Sequence, residues 1–210
     1  MELKLIYPDF PFWRAETSRI ALFMGEIEFE DCRPSHEEIK RMKTDGTFPF
    51  GQFPILLVDG EKLAQTAGIA RFCGKLAGLY PRIDDFAAAK VDEVIDITTD
   101  ITLKMQPALR EQDPEIRRIK RAELSSEILP RWLGFMDQLL IDNGNTGFFV
   151  GPSLTVGDLA AWRLCGWIQG GIIDGIPQTQ LDAHPALLQH YLKIGKMPKI
   201  VEWMKRHYNS

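Results

Sequence analysis

The chain has 210 residues, is 45% hydrophobic and 26% charged, and carries a formal net charge of −4. Such a chain can bury one large core or two small ones, and its mild acidity argues against a nucleic-acid partner, which would call for a basic face. No apolar run reaches the roughly 18 residues of a membrane span, and the opening Met-Glu-Leu-Lys lacks the basic-then-apolar pattern of a signal peptide.

Leu3, Leu5 and Tyr7 alternate with Glu2, Lys4 and Ile6, which predicts a half-buried first strand. Arg14 to Met24 reads as a helix with Ala15, Ile20, Ala21 and Phe23 in its apolar stripe, Ile27 to Asp31 is short, alternating and β-rich, and an α-containing connection is expected before the next strand. The most informative stretch runs from Gly51 to Thr66. Pro54 stands at the mouth of the apolar strand Ile55 to Val58, where a missing N–H is tolerated. Asp59-Gly60 favours a two-residue hairpin, because both turn positions need positive φ. A second short strand follows, and Gln65 and Thr66 then open a helix that reaches Leu76. With Thr66 as hydroxyl cap and several unpaired N–H groups, that helix start is a ready seat for a carboxylate.

Gly78 to Asp85 breaks the periodicity and reads as a linker between residues 1–80 and residues 84–210. Beyond it the signal is helical throughout. Val91, Val94, Ile95, Ile101 and Met105 recur at helical spacing over Phe86 to Met105, and Pro107 is expected to end that helix. Asp113-Pro114 is a cap with Pro at the first helical position, predicting a long helix toward Leu140 that Pro130 should kink. Thr155, with Asp158 three residues on and Leu154 before it, makes a capping box and staple for the next helix. Two more helices are expected near Pro185 to Ile194 and Pro198 to His207.

Cys32, Cys73 and Cys165 form neither an even framework nor a Cys-x-x-Cys pair, so a reducing, cytoplasmic address is expected. Cys73 reads as a small buried hydrophobe. The four histidines show no metal-ligand spacing, and Asp96 and Asp100, one helical turn apart, are too few for a metal site.

A small α/β unit, a short linker and an all-helical second half resemble the glutathione transferases, and specific residues agree nearly end to end. Lys4-Leu5-Ile6-Tyr7 resembles the first strand of the tyrosine-type classes, Arg14-Ala15-Glu16 the start of their first helix, and Phe50 to Leu56 the segment holding their cis-proline. Ala64-Gln65-Thr66 with Ile69-Ala70-Arg71 is similar to their γ-glutamyl site, and Leu154 to Leu159 to their capping box. Among the classes the chain most resembles sigma, which includes the glutathione-dependent prostaglandin D synthases, partly through Val91 to Asp96.

The resemblance implies a thioredoxin-like N-terminal domain and an all-α C-terminal domain, glutathione as co-substrate, no metal, and a cytoplasmic homodimer acting in detoxification. It implies Tyr7 and Arg14 as catalytic residues. Lys43, Gln52, Phe53, Pro54, Gln65 and Thr66 would join Tyr7 in holding the tripeptide, with Asp100 reaching its amino group from across a dimer interface. The family's tryptophan for the glycine end is absent, leaving His36, Lys40 or Lys43 for that role. Phe10, Phe12, Trp13, Leu103 and Met105 would form the electrophile pocket; the segment Pro8 to Trp13 is one residue longer than usual and proline-rich.

The chemistry needs a thiolate, and a free thiol with a pKa near ~8.5 is mostly protonated at neutral pH. A hydroxyl aimed at the sulfur favours the anion. Tyr7, at the end of the first strand, is placed for this, or else is a half-buried strand tyrosine. Arg14 either biases that tyrosine or is a solvated first-turn arginine. The same site would serve a glutathione-dependent isomerase or peroxidase, and the fold also occurs as a non-catalytic module.

Overall fold

The computed structural model describes residues 1–208. Four short strands form one sheet in the order β2-β1-β3-β4: β1 (Leu3–Ile6), β2 (Glu30–Cys32), β3 (Ile55–Val58) and β4 (Glu61–Ala64). β1 runs parallel to β2 and antiparallel to β3, with Leu5 opposite Asp31 on one side and Leu56 on the other. The parallel pair needs a crossover, supplied by α1 (Trp13–Met24). β3 and β4 close through Asp59 (φ 49°) and Gly60 (φ 86°), the two positive values of the predicted tight hairpin.

The β-rich stretch anticipated at residues 27–31 pairs later than expected, because only Glu30, Asp31 and Cys32 lie beside β1. Between β2 and β3 the expected α-containing connection holds one helix, α2 (His36–Met42). Its start is a capping box in which Ser35 N–H donates to Glu38 Oε2 at 2.7 Å, a signature readable in Ser35-His36-Glu37-Glu38.

α3 (Thr66–Leu76) begins differently from the expectation. Gln65, at φ 76°, occupies the capping position, and Thr66 is the first helical residue with its hydroxyl accepting from Arg14 Nη1 at 3.3 Å. Thr66 therefore caps nothing. Its neighbour's left-handed backbone turns the chain out of β4 and leaves the first N–H groups of α3 without a side-chain cap.

The helical part comprises α4 (Asp85–Leu109), α5 (Pro114–Glu123), α6 (Leu129–Asp142), α7 (Val156–Gln169), α8 (Pro185–Gly195) and α9 (Pro198–Tyr208). Pro107 does not end α4, which runs two residues past it. So near a C-terminus a proline disturbs only the pairing with the carbonyl four residues back, and Arg110 N–H still reaches Gln106 at 2.9 Å. The long helix expected from Asp113 is also divided. A π turn over Leu124–Ile128 re-pairs the backbone ahead of Pro130, which has no N–H to give, and α6 starts with that proline in its first turn.

α7 is buried on nearly every side, lying between α1 of the sheet unit and α4 of the helical part. One apolar core therefore runs from Leu3 and Leu5 through Trp13 and Ile20 to Leu159, Leu164 and Trp203. Among the described residues no helix is long and apolar enough to cross a membrane.

Candidate active site

The C-terminal ends of the first strand and of the loop before β3 meet α3, α4 and α7 around a cavity of about 570 Å³. Tyr7 stands one residue beyond β1. Its N–H donates to the Cys32 carbonyl at 3.1 Å, and its own carbonyl accepts from Arg19 Nη2 at 3.3 Å, so both backbone groups are tied down. Arg19 is wholly buried; it also donates to Glu16 at 3.0 Å and Asp31 at 2.8 Å, and Trp203 Nε1 donates to the far oxygen of Glu16 at 3.1 Å. Nothing in the sequence pattern flagged this ionic cluster. It fixes the position from which the Tyr7 ring projects.

That ring packs edge-on against Phe53, with centroids 5.1 Å apart. Burial pushes the Tyr7 phenol up to about 12, against the opposing pull of the Arg14 and Arg19 guanidiniums. At neutral pH Tyr7 is thus a phenol with a proton to donate, and its hydroxyl has no hydrogen-bond partner among the described residues. Arg14 is half-buried, which lowers its own pKa, and it remains a cation beside the phenol.

The predicted binding residues gather on the sheet side. Gln52, Phe53, Pro54, Gln65 and Thr66 all line the cavity, and the Phe53-Pro54 bond is cis. Lys43 joins them just beyond α2, whereas His36 and Lys40 are exposed and stay outside. Asp100 does not enter the cavity of its own chain; it lines a separate cleft with Lys104 and Lys120. The cavity wall includes the cations Arg14, Lys43 and Arg110 and no Asp or Glu among its lining residues.

The opposite wall is aromatic and corrects the expected electrophile pocket in two places. Phe10 and Phe12 do face the cavity, stacked at 5.8 Å, and Leu103 does as well. Trp13 and Met105 do not. Trp13 is fully buried at the start of α1, donating through Nε1 to Thr102 Oγ1 at 2.9 Å, and Met105 belongs to the same core stripe as Val94 and Ile101. The face of α4 turned to the cavity carries Thr102, Gln106, Leu109 and Arg110, spaced as one helical side. Counting that side from Leu103 would have found them.

Trp167 on α7 completes the wall, its ring 4.7 Å from Phe12 and edge-on to it. The unusual segment Pro8 to Trp13 is pinned at both ends. Asp9 pairs with Arg33 at 2.5 Å, and Arg163 Nη2 donates to the Pro11 carbonyl at 2.7 Å. Those two anchors set where Phe10 and Phe12 stand.

The cysteines take no part. Cys73 and Cys165 are buried, with thiols pushed up to about 12 by that burial, and neither lines the cavity. Among the described residues no three metal-ligand side chains come together.

A phenol, an uncapped helix start, the cis Phe53-Pro54 bond and an aromatic wall surround one cavity. The family model for the glutathione S-transferase C-terminal domain matches residues 99–207. Glutathione S-transferase S1 of Drosophila melanogaster is 33% identical over 199 residues, covering 91% of this chain and 74% of that protein. Among solved structures, prostaglandin synthase D of Nilaparvata lugens superposes with a TM-score of 0.86 at 25% identity, with both chains covered in full. Na-GST-3, a glutathione S-transferase of the hookworm Necator americanus described as monomeric, gives 0.84 at 32% identity over 100% of this chain and 99% of its own. On this sequence identity, carried over nearly all its length, the chain belongs to the glutathione S-transferase family and is an enzyme of that kind.

Proposed function

We propose that Tyr7 ionises bound glutathione by donating its phenolic hydrogen to the sulfur, and that the resulting thiolate attacks a small hydrophobic electrophile held by Phe10, Phe12, Leu103 and Trp167. The observation that carries this reading is the Tyr7 phenol itself: it keeps its proton, its pKa raised to about 12, and its hydroxyl is unpartnered in the cavity. A donor of that kind stabilises an adjacent anion without becoming one. Arg14 contributes positive potential beside the same point.

The sheet-side residues divide the tripeptide among them. Phe53 offers backbone N–H and C=O groups that are unpaired among the described residues, and the start of α3, with Gln65 and Thr66, receives the γ-glutamyl carboxylate. Lys43 serves the glycine carboxylate, since His36 and Lys40 lie off the cavity. The tripeptide's amino group calls for an anion, and no lining residue supplies one. Asp100 of the partner subunit fills that need, so the working enzyme is a homodimer, which sedimentation velocity reads directly; a monomer that retains full glutathione affinity would remove this role. A sigma-class assignment is supported by the likeness to prostaglandin synthase D. A cytoplasmic location suits three free cysteines.

An isomerase would use the same thiolate, but the transferase reading is preferred because the Drosophila melanogaster relative, 33% identical over 199 residues, carries that name. Against a purely structural module stand Tyr7, Gln65 and Thr66, all on one cavity. Ultraviolet titration of glutathione in the complex tests the proposal: its thiol should ionise about one to two units below the free value of ~8.5. A bound thiol titrating as in buffer overturns it.

A further inference from the structure

We infer that Arg110 selects electrophiles that carry a carboxylate or comparable anionic group away from their reactive carbon. The inference rests on the transferase reading above and names the class of second substrate. Arg110 follows the last residue of α4 and lines the cavity together with Gln106 and Leu109 of that helix. Its backbone N–H is bound to Gln106, whereas its guanidinium forms no hydrogen bond or ion pair among the described residues.

Nearby carboxylates do not claim it. Glu111, the next residue, is engaged by Lys120 at 2.5 Å, and its oxygens also accept from the N–H groups of Gln112 and Asp113. In a protein of net charge −4, a cavity wall with cations and no acid is a local reversal of sign that draws anions in. Arg14 already donates to Thr66 and stands beside the Tyr7 phenol, and Lys43 is assigned above to the glycine carboxylate. Arg110 is the remaining cation, and the apolar side chains of Leu109, Leu103, Phe12 and Trp167 line the same cavity.

An apolar body ending in an anion fits that pattern: the wall takes the body, and the guanidinium fork takes the carboxylate in the planar, two-pronged way arginine allows. Gln106, one turn earlier and without a side-chain hydrogen bond, can donate its amide to the same group. A suitable reactive centre is an α,β-unsaturated ketone. The thiolate forms a C–S bond to the β-carbon, the π pair moves to the ketone oxygen as an enolate, and solvent returns a proton to the α-carbon; nothing is oxidised or reduced.

The test compares ethacrynic acid, an unsaturated ketone with a free carboxylate, with its methyl ester, and reads the ratio of kcat/KM for acid over ester. In Arg110→Gln the ratio should fall about tenfold, the loss expected for one charge-assisted contact near the surface. Arg110→Glu should lower it further, and Arg110→Lys should retain part of it. Because the side chain is exposed and forms no hydrogen bond or ion pair among the described residues, these variants should fold as the parent does. In the parent enzyme, raising the salt should narrow the ratio. An unchanged ratio in Arg110→Gln and Arg110→Glu overturns the inference, as does a fall that instead follows Lys43→Gln, or an effect confined to the KM for glutathione. Failure of the parent to turn over the ester would strike the transferase reading itself, a separate result.

Discussion

Replacing Tyr7 with Phe is expected to lower kcat at neutral pH by about 10- to 100-fold. The ring stays, and with it the edge-on packing on Phe53. Only the hydroxyl is lost. A hydrogen bond to a charged group contributes about 1.5–3 kcal/mol, and each ~1.4 kcal/mol is a factor of ten in rate. Glutathione affinity should change by less than about threefold, because Gln65, Thr66, Lys43 and the Phe53 backbone still line the cavity. The pH dependence follows from the same argument. In the parent, the rate should level off once the bound thiol is ionised and show no decline near pH 10, since the Tyr7 phenol holds its proton to about 12. In Tyr7→Phe the rise should continue toward the free-thiol range of ~8.5 and above, so the two profiles converge at high pH. Steady-state kinetics from pH 6 to 10 would decide it; equal rates with superimposable profiles would remove Tyr7 from the mechanism.

The second large effect is on stability. Asp158→Ala is expected to cost about 3–5 kcal/mol. Asp158 is fully buried and accepts from the Phe149 N–H at 2.8 Å, the Thr155 N–H at 2.7 Å and the Thr155 hydroxyl at 2.8 Å, with His190 Nε2 3.1 Å away. Alanine would leave two backbone N–H groups and a histidine buried without that partner, each orphan costing roughly 1–3 kcal/mol. It would also loosen the start of α7, on which α1 and α4 both pack. For a chain of this size about 1 kcal/mol shifts Tm by roughly 2–4 °C, so a drop of about 6–20 °C should appear in calorimetry. Asp158→Asn keeps one acceptor and should lie between. A melting temperature within about 2 °C of the parent would show that the carboxylate is dispensable. Because Asp158 lies away from the cavity lining, surviving Asp158→Asn protein should keep its KM values.

How much of this was legible in the chain itself depends on how local each cause is. The Asp59-Gly60 hairpin, the Asp113 cap and the Asp158 box are decided within four residues, and all formed as read. The α2 cap at Ser35 is equally local, and because α2 buries no residue it carries no apolar stripe to mark its bounds. Pro107 is expected to end its helix and Pro130 to kink the next one, yet a proline only removes one N–H and crowds one carbonyl. Near the end of α4 little followed, and before Pro130 a π turn absorbed the misfit.

By itself the sequence determined β1 and β3, the tight turn, the capped starts of α5 and α7 and the gathering of Gln52, Phe53, Pro54, Gln65 and Thr66, because those residues sit together on a short span from Gly51 to Thr66 beside the first strand. Only the tertiary structure decided which side of α4 meets the aromatic loop, and so placed Gln106 and Arg110 in the cavity and Met105 in the core. It also joined Trp167 to Phe12 and set Arg19 beneath Tyr7. Helical periodicity identifies faces but not their partners; pairing two faces depends on the rotation and crossing of whole helices, which the packing of α7 against α1 and α4 settles for all of them at once.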